Sequence, residues 1–219
     1  MDKNEQLQKD VQDAIMWEPL LNAAEIGVIA KDGVVTLTGV VDNYSKKIEA
    51  ENAAKKVNGV KAVSENIKIN FGTSDKMNDT EIATEILNVF KSNWEIPSEL
   101  LKVQVENGWV TLDGDVSWNF EKDAAKKSII HLPGISGVSN NIRIISAAKD
   151  IVEEKDIKAA FARNWSMADN EIHVTVVNNK VTLVGMVNSL YQKDEAERIA
   201  WNAPGVGGMD NQLVVGCAL

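Results

Sequence analysis

The residue types that most often do chemistry are scarce in this chain. It holds two histidines, His131 and His173, and one cysteine, Cys217. Neither histidine has a second His or Cys at metal-ligand spacing, so each reads as a structural or solvated imidazole. A single cysteine gives neither a disulfide framework nor a zinc cluster. It stands third from the end, in Gly216-Cys217-Ala218-Leu219, whereas a prenylation box needs it fourth. The acid pairs Glu153-Glu154 and Asp113/Asp115 lack a partner that would set their pKa values apart, and read as solvated faces. There is no G-x-S-x-G elbow, P-loop or dinucleotide fingerprint. No residue is therefore assigned a catalytic, cofactor-binding or metal-ligating role, and the expected function is non-enzymatic binding.

Charge narrows the partners. The chain has 219 residues and a net charge of −9. The three thirds, residues 1–76, 77–147 and 148–219, carry −2, −4 and −3. Nucleic-acid binding draws on many Lys/Arg–phosphate contacts, so nucleic acid is excluded as a partner. Nonspecific attraction to anionic lipid is opposed as well. The local basic clusters are Lys46, Lys47, Lys55 and Lys56, then Lys122, Lys126 and Lys127; each also suits a solvated helix face. No apolar run approaches the roughly 18 residues of a membrane span. The N-terminal Met1-Asp2-Lys3-Asn4 has no signal-peptide character. The sequence thus places the chain in the cytoplasm; a chain trimmed of its leader would instead be periplasmic.

The organising feature is a repeat. Asp32–Gly39 reads DGVVTLTG, Asn107–Gly114 reads NGWVTLDG, and Asn178–Gly185 reads NNKVTLVG, at offsets of 75 and 71. The same offsets carry Gly59-Val60 onto Gly134-Ile135 and Gly205-Val206. They also carry Ile67 and Ile69 onto Ile142 and Ile144, then onto Leu213 and Val215. Three anchors in one register mark tandem copies. The copies span Lys3–Phe71, Asn78–Ile145 and Lys149–Gly216, joined by the short linkers Gly72–Met77 and Ser146–Ala148.

Each copy reads the same way. An apolar helical stripe opens it: Leu7, Val11, Ala14 and Ile15; then Ile82, Ile86, Val89 and Phe90; then Ile157, Ala160 and Phe161. A strand alternates through Ile26, Val28 and Ala30, with Leu101, Val103, Val105 and Ile172, Val174, Val176 as its counterparts. Asp32-Gly33, Asn107-Gly108 and Asn178-Asn179 are hairpin turns, because these residues tolerate positive φ. The second strand turns Val35, Leu37 and Val41 inward, matched by Val110, Leu112, Val116 and by Val181, Leu183, Val187. A second helix begins near Ser45, Phe120 and Leu190, with Asn43, Asn119 and Ser189 as expected caps. It stops at Asn58-Gly59, Pro133-Gly134 and Pro204-Gly205. A third strand closes the unit. The expected fold is α+β: three α-β-β-α-β modules, each with two helices on one face of a three-stranded mixed sheet. The repeated glycines read as turn and helix-stop residues.

The glycine turn, the V-T-L-x-G strand and the ending Gly59-Val60-Lys61-Ala62-Val63-Ser64-Glu65-Asn66-Ile67 together resemble the BON (bacterial OsmY and nodulation) domain. The second copy, Gly134-Ile135 to Asn141-Ile142, fits this ending well, and the third is looser. The whole is similar to signal-less, three-module transport-associated bacterial proteins. The resemblance implies phospholipid or membrane-surface binding and a role in osmotic or envelope stress. A related branch of the family lends a weaker analogy, potassium-type ion binding in the cytoplasm; a protein-interaction scaffold built through the outer sheet faces is the other alternative.

Tryptophan marks the candidate contacts. Trp94 and Trp165 take equivalent places after the first helix, and repeated placement favours core or hinge packing. Trp118 lies instead between the second strand and second helix, beside Phe120, with Tyr44 and Tyr191 at matching or adjacent places. With Lys46, Lys47, Lys122 and Lys193 alongside, these loop-tip aromatics suit a membrane interface or partner. Packing against the next repeat is the competing reading. On the third sheet Val184, Met186 and Val214 turn outward, and that face is expected to be covered by a neighbouring repeat or a second chain. Trp201 joins them as a candidate inter-repeat contact. A homo-oligomer is compatible with this surface.

Overall fold

A computed structural model describes residues 2–72, 77–145, 152–164 and 172–216. The first module runs α1 (Lys3–Met16), β1 (Ile26–Lys31), β2 (Val34–Val41), α2 (Tyr44–Lys56) and β3 (Ala62–Ile69). The second runs α3 (Asp79–Ser92), β4 (Leu101–Glu106), β5 (Trp109–Val116), α4 (Asn119–Ile129), β6 (Gly137–Asn140) and β7 (Arg143–Ile144). The third runs α5 (Glu154–Arg163), β8 (Ile172–Val177), β9 (Lys180–Val187), α6 (Leu190–Trp201) and β10 (Gly208–Val215). The chain is a mixed α+β protein of three modules in the expected order.

Each sheet is built around its second strand. The orders are β1-β2-β3, β4-β5-β6 and β8-β9-β10, with β7 also on β5. The hairpin pairs are antiparallel, with Val28 opposite Leu37, Val103 opposite Leu112 and Val174 opposite Leu183. The third strand joins β5 and β9 in parallel, because the second helix intervenes as a crossover. Alternation puts Val35, Leu37 and Val41 in the core, as it does Val110, Leu112, Val116 and Val181, Leu183, Val187. Val11 and Ile15, Ile82, Ile86 and Phe90, and Ile157 and Phe161 meet them from the first helices. The hairpin turns take positive φ at both residues, including 49° and 61° at Asn178 and Asn179.

One glycine departs from the turn-and-stop reading. Gly39, Gly114 and Gly185 lie within the second strands at φ of 142°, 146° and 147°. A side chain at Gly39 would collide with the Glu25 carbonyl, and one at Gly114 with the Leu100 carbonyl. The last residue of V-T-L-x-G is therefore fixed by close backbone approach where the strand meets the segment entering the sheet.

The chain divides into two compact units. One is Met1–Val41, Lys46–Lys68 and Asp150–Leu219; the other is Asp42–Ser45 and Ile69–Lys149. The first and third modules thus share a unit. Within it, the Gly59 N–H donates to the Asn188 carbonyl at 3.0 Å, and the Lys55 ammonium lies 3.3 Å from Asp194. Burial of Lys55 works against its charge, yet Asp194 and Glu51 more than offset this and hold its pKa above the ordinary value.

Candidate functional site

The segment between second strand and second helix is set by how the helix is capped. Ser189 is buried and accepts from the Gln192 N–H at 3.2 Å, as expected of a cap. In the second module Asn119 is instead the first helical residue, and Trp118 holds the cap position. An indole cannot cap. The Glu121 carboxylate makes the reciprocal contact from the helix, accepting the Ser117 and Trp118 N–H groups at 2.9 Å each. Gln192 does the same for Asn188 at 2.7 Å. Trp118 makes no side-chain cap hydrogen bond and stays part-exposed.

The aromatics separate accordingly. Trp118, Phe120 and Tyr191 are 37%, 47% and 42% exposed. Tyr44 is buried, which removes it from any membrane-facing set. Phe120 and Tyr191 are equivalent residues under the repeat offset. In the second module Trp118, Phe120 and Lys122 fall within five residues at the start of α4.

Two of the lysines have structural employment. Lys47 donates to the Ile67 carbonyl at 3.2 Å and pairs with Glu65 at 2.8 Å. Its equivalent Lys193 donates to the Leu213 carbonyl at 2.7 Å. Both ammonium groups hold the second helix to the third strand. Asn140 and Asn211, equivalent to Glu65, bind that strand another way. Their amide nitrogens donate to the Lys122 and Lys193 carbonyls at 3.0 and 3.1 Å. Lys46 is half-buried. Lys122 makes no carbonyl contact of the Lys47 type among the described residues.

The remaining tryptophans correct one expectation. Trp94, which follows α3, is 88% exposed, so it is not packed into the core. Trp165 lies outside the described residues. Trp201 packs on the core of its own module and is half-buried there. On the third sheet's outer face Val184, Met186 and Val214 are 44%, 67% and 61% exposed. The reason is geometric, since both helices of the module occupy the opposite face.

The described residues include no group of three or more His, Cys, Asp or Glu able to hold a metal. No described helix is long and apolar enough to cross a membrane. The arrangement presents small surfaces for contact. Against known families, the BON domain matches at residues 3–70, 78–146 and 152–217. The chain belongs to the BON domain family. Each α-β-β-α-β module is thus one BON domain, and most of the described chain lies within the three matches. Among curated proteins the chain is 27% identical over 137 residues to the osmotically-inducible protein Y of Escherichia coli (strain K12), covering 61% of this chain and 68% of that one. Among solved structures, CdsD, a structural protein of the type III secretion system of Chlamydia trachomatis, aligns at 18% identity and a TM-score of 0.26, over 97% of this chain and 93% of that chain. The PrgH periplasmic domain aligns at 9% identity and a TM-score of 0.20, over 94% and 99%. Scores that low carry no argument about this BON protein.

Proposed function

We propose that this BON protein is a non-enzymatic binding protein of the osmotic or envelope stress response, and that it engages phospholipid membrane surfaces through its second module. The observation that carries this reading is the exposure of Trp118 and Phe120 together at the start of α4, with Lys122 about one turn from Trp118. Amphipathic aromatics beside lysines suit the headgroup level of a bilayer. With a net charge of −9 the chain gains little from long-range attraction to anionic lipid. Binding therefore rests on aromatic insertion, with lysine as a local adjunct.

Flotation with vesicles of neutral lipid, and of neutral lipid with added anionic lipid, tests this. Both vesicle types carry the chain, and salt changes the bound fraction little. The double variant Trp118→Ala, Phe120→Ala loses at least about tenfold in affinity. A folded parent chain that stays with the soluble fraction in both would falsify the reading.

A second reading has its own observation. The open apolar face of β9 and β10 suits a protein scaffold that self-associates through Val184, Met186 and Val214. Light scattering that finds a strict monomer at micromolar concentration removes it.

A further inference from the structure

The outer face of the second module's sheet takes no part in either reading above, and it is built unlike its counterparts. Trp109 stands at its upper end, 49% exposed. Its ring lies on Gly137, where even a methyl group would collide with the indole. Its Nε1–H donates to Ser139 Oγ at 2.9 Å. One face of the ring is thus seated on the sheet while its polar edge is satisfied, so the opposite face is presented as a fixed platform.

Below the platform the register places polar side chains in rows. Gln104 pairs with Thr111, and Thr111 with Ser139. Lys102 pairs with Asp113, and Asp115 with Arg143. The Arg143 guanidinium grips Asp115 with two hydrogen bonds, of 2.8 and 3.0 Å. This pair and the Lys102–Asp113 row border an open depression of about 550 Å³. Asp115 lies six residue steps along the strand from Trp109, so platform and depression lie roughly 20 Å apart along the sheet. That span fits an extended, oligomeric ligand.

The chemistry of the face selects among such ligands. Lys102 and Arg143 are outnumbered by Glu106, Asp113 and Asp115, so the face is net acidic and repels phosphate chains. Its hydroxyls, amides and carboxylates between them both donate and accept, which matches a ligand rich in hydroxyl groups. An aromatic ring with a negative face attracts the C–H face of a pyranose. Its fixed seat reduces the ordering cost of binding. We propose that the outer face of β4-β5-β6 binds an uncharged saccharide chain, stacked on Trp109 and hydrogen-bonded towards Asp115.

The other modules serve as internal controls. Lys180 takes the place of Trp109 in the third module, and its stem is the nearest group to where a side chain on Gly208 would stand. Val34 takes it in the first. Trp109→Lys therefore copies a residue that this fold already carries at that place. The experiment is a nitrogen-15 NMR titration of the whole chain with three linear hexasaccharides: α-linked glucose, β-linked glucose, and N-acetylglucosamine. Expected are shifts at the Trp109 indole N–H, Thr111 and Ser139 with at least one of them. Trp109→Lys weakens binding at least about tenfold while leaving the rest of the spectrum in place. Asp113→Ala gives a smaller loss in the same titration. Absence of shifts with all three sugars at millimolar concentration overturns the proposal. So do shifts confined to other modules, or an undiminished titration in Trp109→Lys.

Discussion

The outer sheet faces of the second and third modules occupy equivalent positions and carry opposite chemistry. Asp113, Asp115 and Arg143 in one correspond to Val184, Met186 and Val214 in the other. The inner faces scarcely differ: Val110, Leu112 and Val116 against Val181, Leu183 and Val187, all buried. Residues at even and odd strand positions point to opposite sides, so one register can be held for folding while the other is free to diverge. Fold is written on the inward register here, and difference between modules on the outward one.

The largest effect comes from breaking what the two modules share. Leu112→Ala and Leu183→Ala each empty a fully buried site at the centre of a sheet. Each is expected to cost about 2–5 kcal/mol, from lost transfer energy and the cavity left behind. Urea unfolding monitored separately in each module by NMR gives similar losses for the two variants. A loss in one module only would show that the inner faces are not equivalent after all.

This shared part was legible in the sequence because it obeys local rules. Alternation needs only a period, and the turns at Asp32-Gly33 and Asn107-Gly108 need only residues that accept positive φ. What was not legible depends on partners far along the chain. Gly39 and Gly114 stay glycine because of the Glu25 and Leu100 carbonyls. Lys47 and Lys193 read as loop-tip cations, yet they are spent on the Ile67 and Leu213 carbonyls. Trp94 read as packed because it recurs at the place of Trp165, and it is open to water. Trp118 was singled out correctly as an odd residue between strand and helix.

Exchanging the outer faces gives an intermediate effect. Val184→Asp, Met186→Asp and Val214→Arg together write the second module's face onto the third. Stability is expected to move little, since surface substitutions usually lie within about 0.5 kcal/mol. Self-association through that face is lost, and the mass by light scattering falls to that of one chain. The reverse exchange, Asp113→Val with Asp115→Met and Arg143→Val, creates a second apolar face and raises the measured mass. If neither exchange moves the mass, the apolar face is not an association surface.

The smallest effect concerns a pair of equivalent acids. Asp194 meets Lys55 of the first module at 3.3 Å. Its counterpart Asp123 accepts a hydrogen bond from Asn119 within its own helix, at 3.4 Å. Lys55 binds its proton more tightly folded than unfolded, because Asp194 and Glu51 outweigh its partial burial. Its contribution to stability is therefore full below the unfolded value of 10.5 and disappears as pH rises through the higher folded value. Near neutral pH Asp194→Asn should cost less than about 1 kcal/mol, as a part-exposed ion pair does. Above pH 10.5 that cost should shrink as Lys55 loses its proton. Asp123→Asn should show no such change across the same range. Urea unfolding of both variants on either side of that pH separates the two acids, and equal pH behaviour in both would remove Lys55 as the source of the difference.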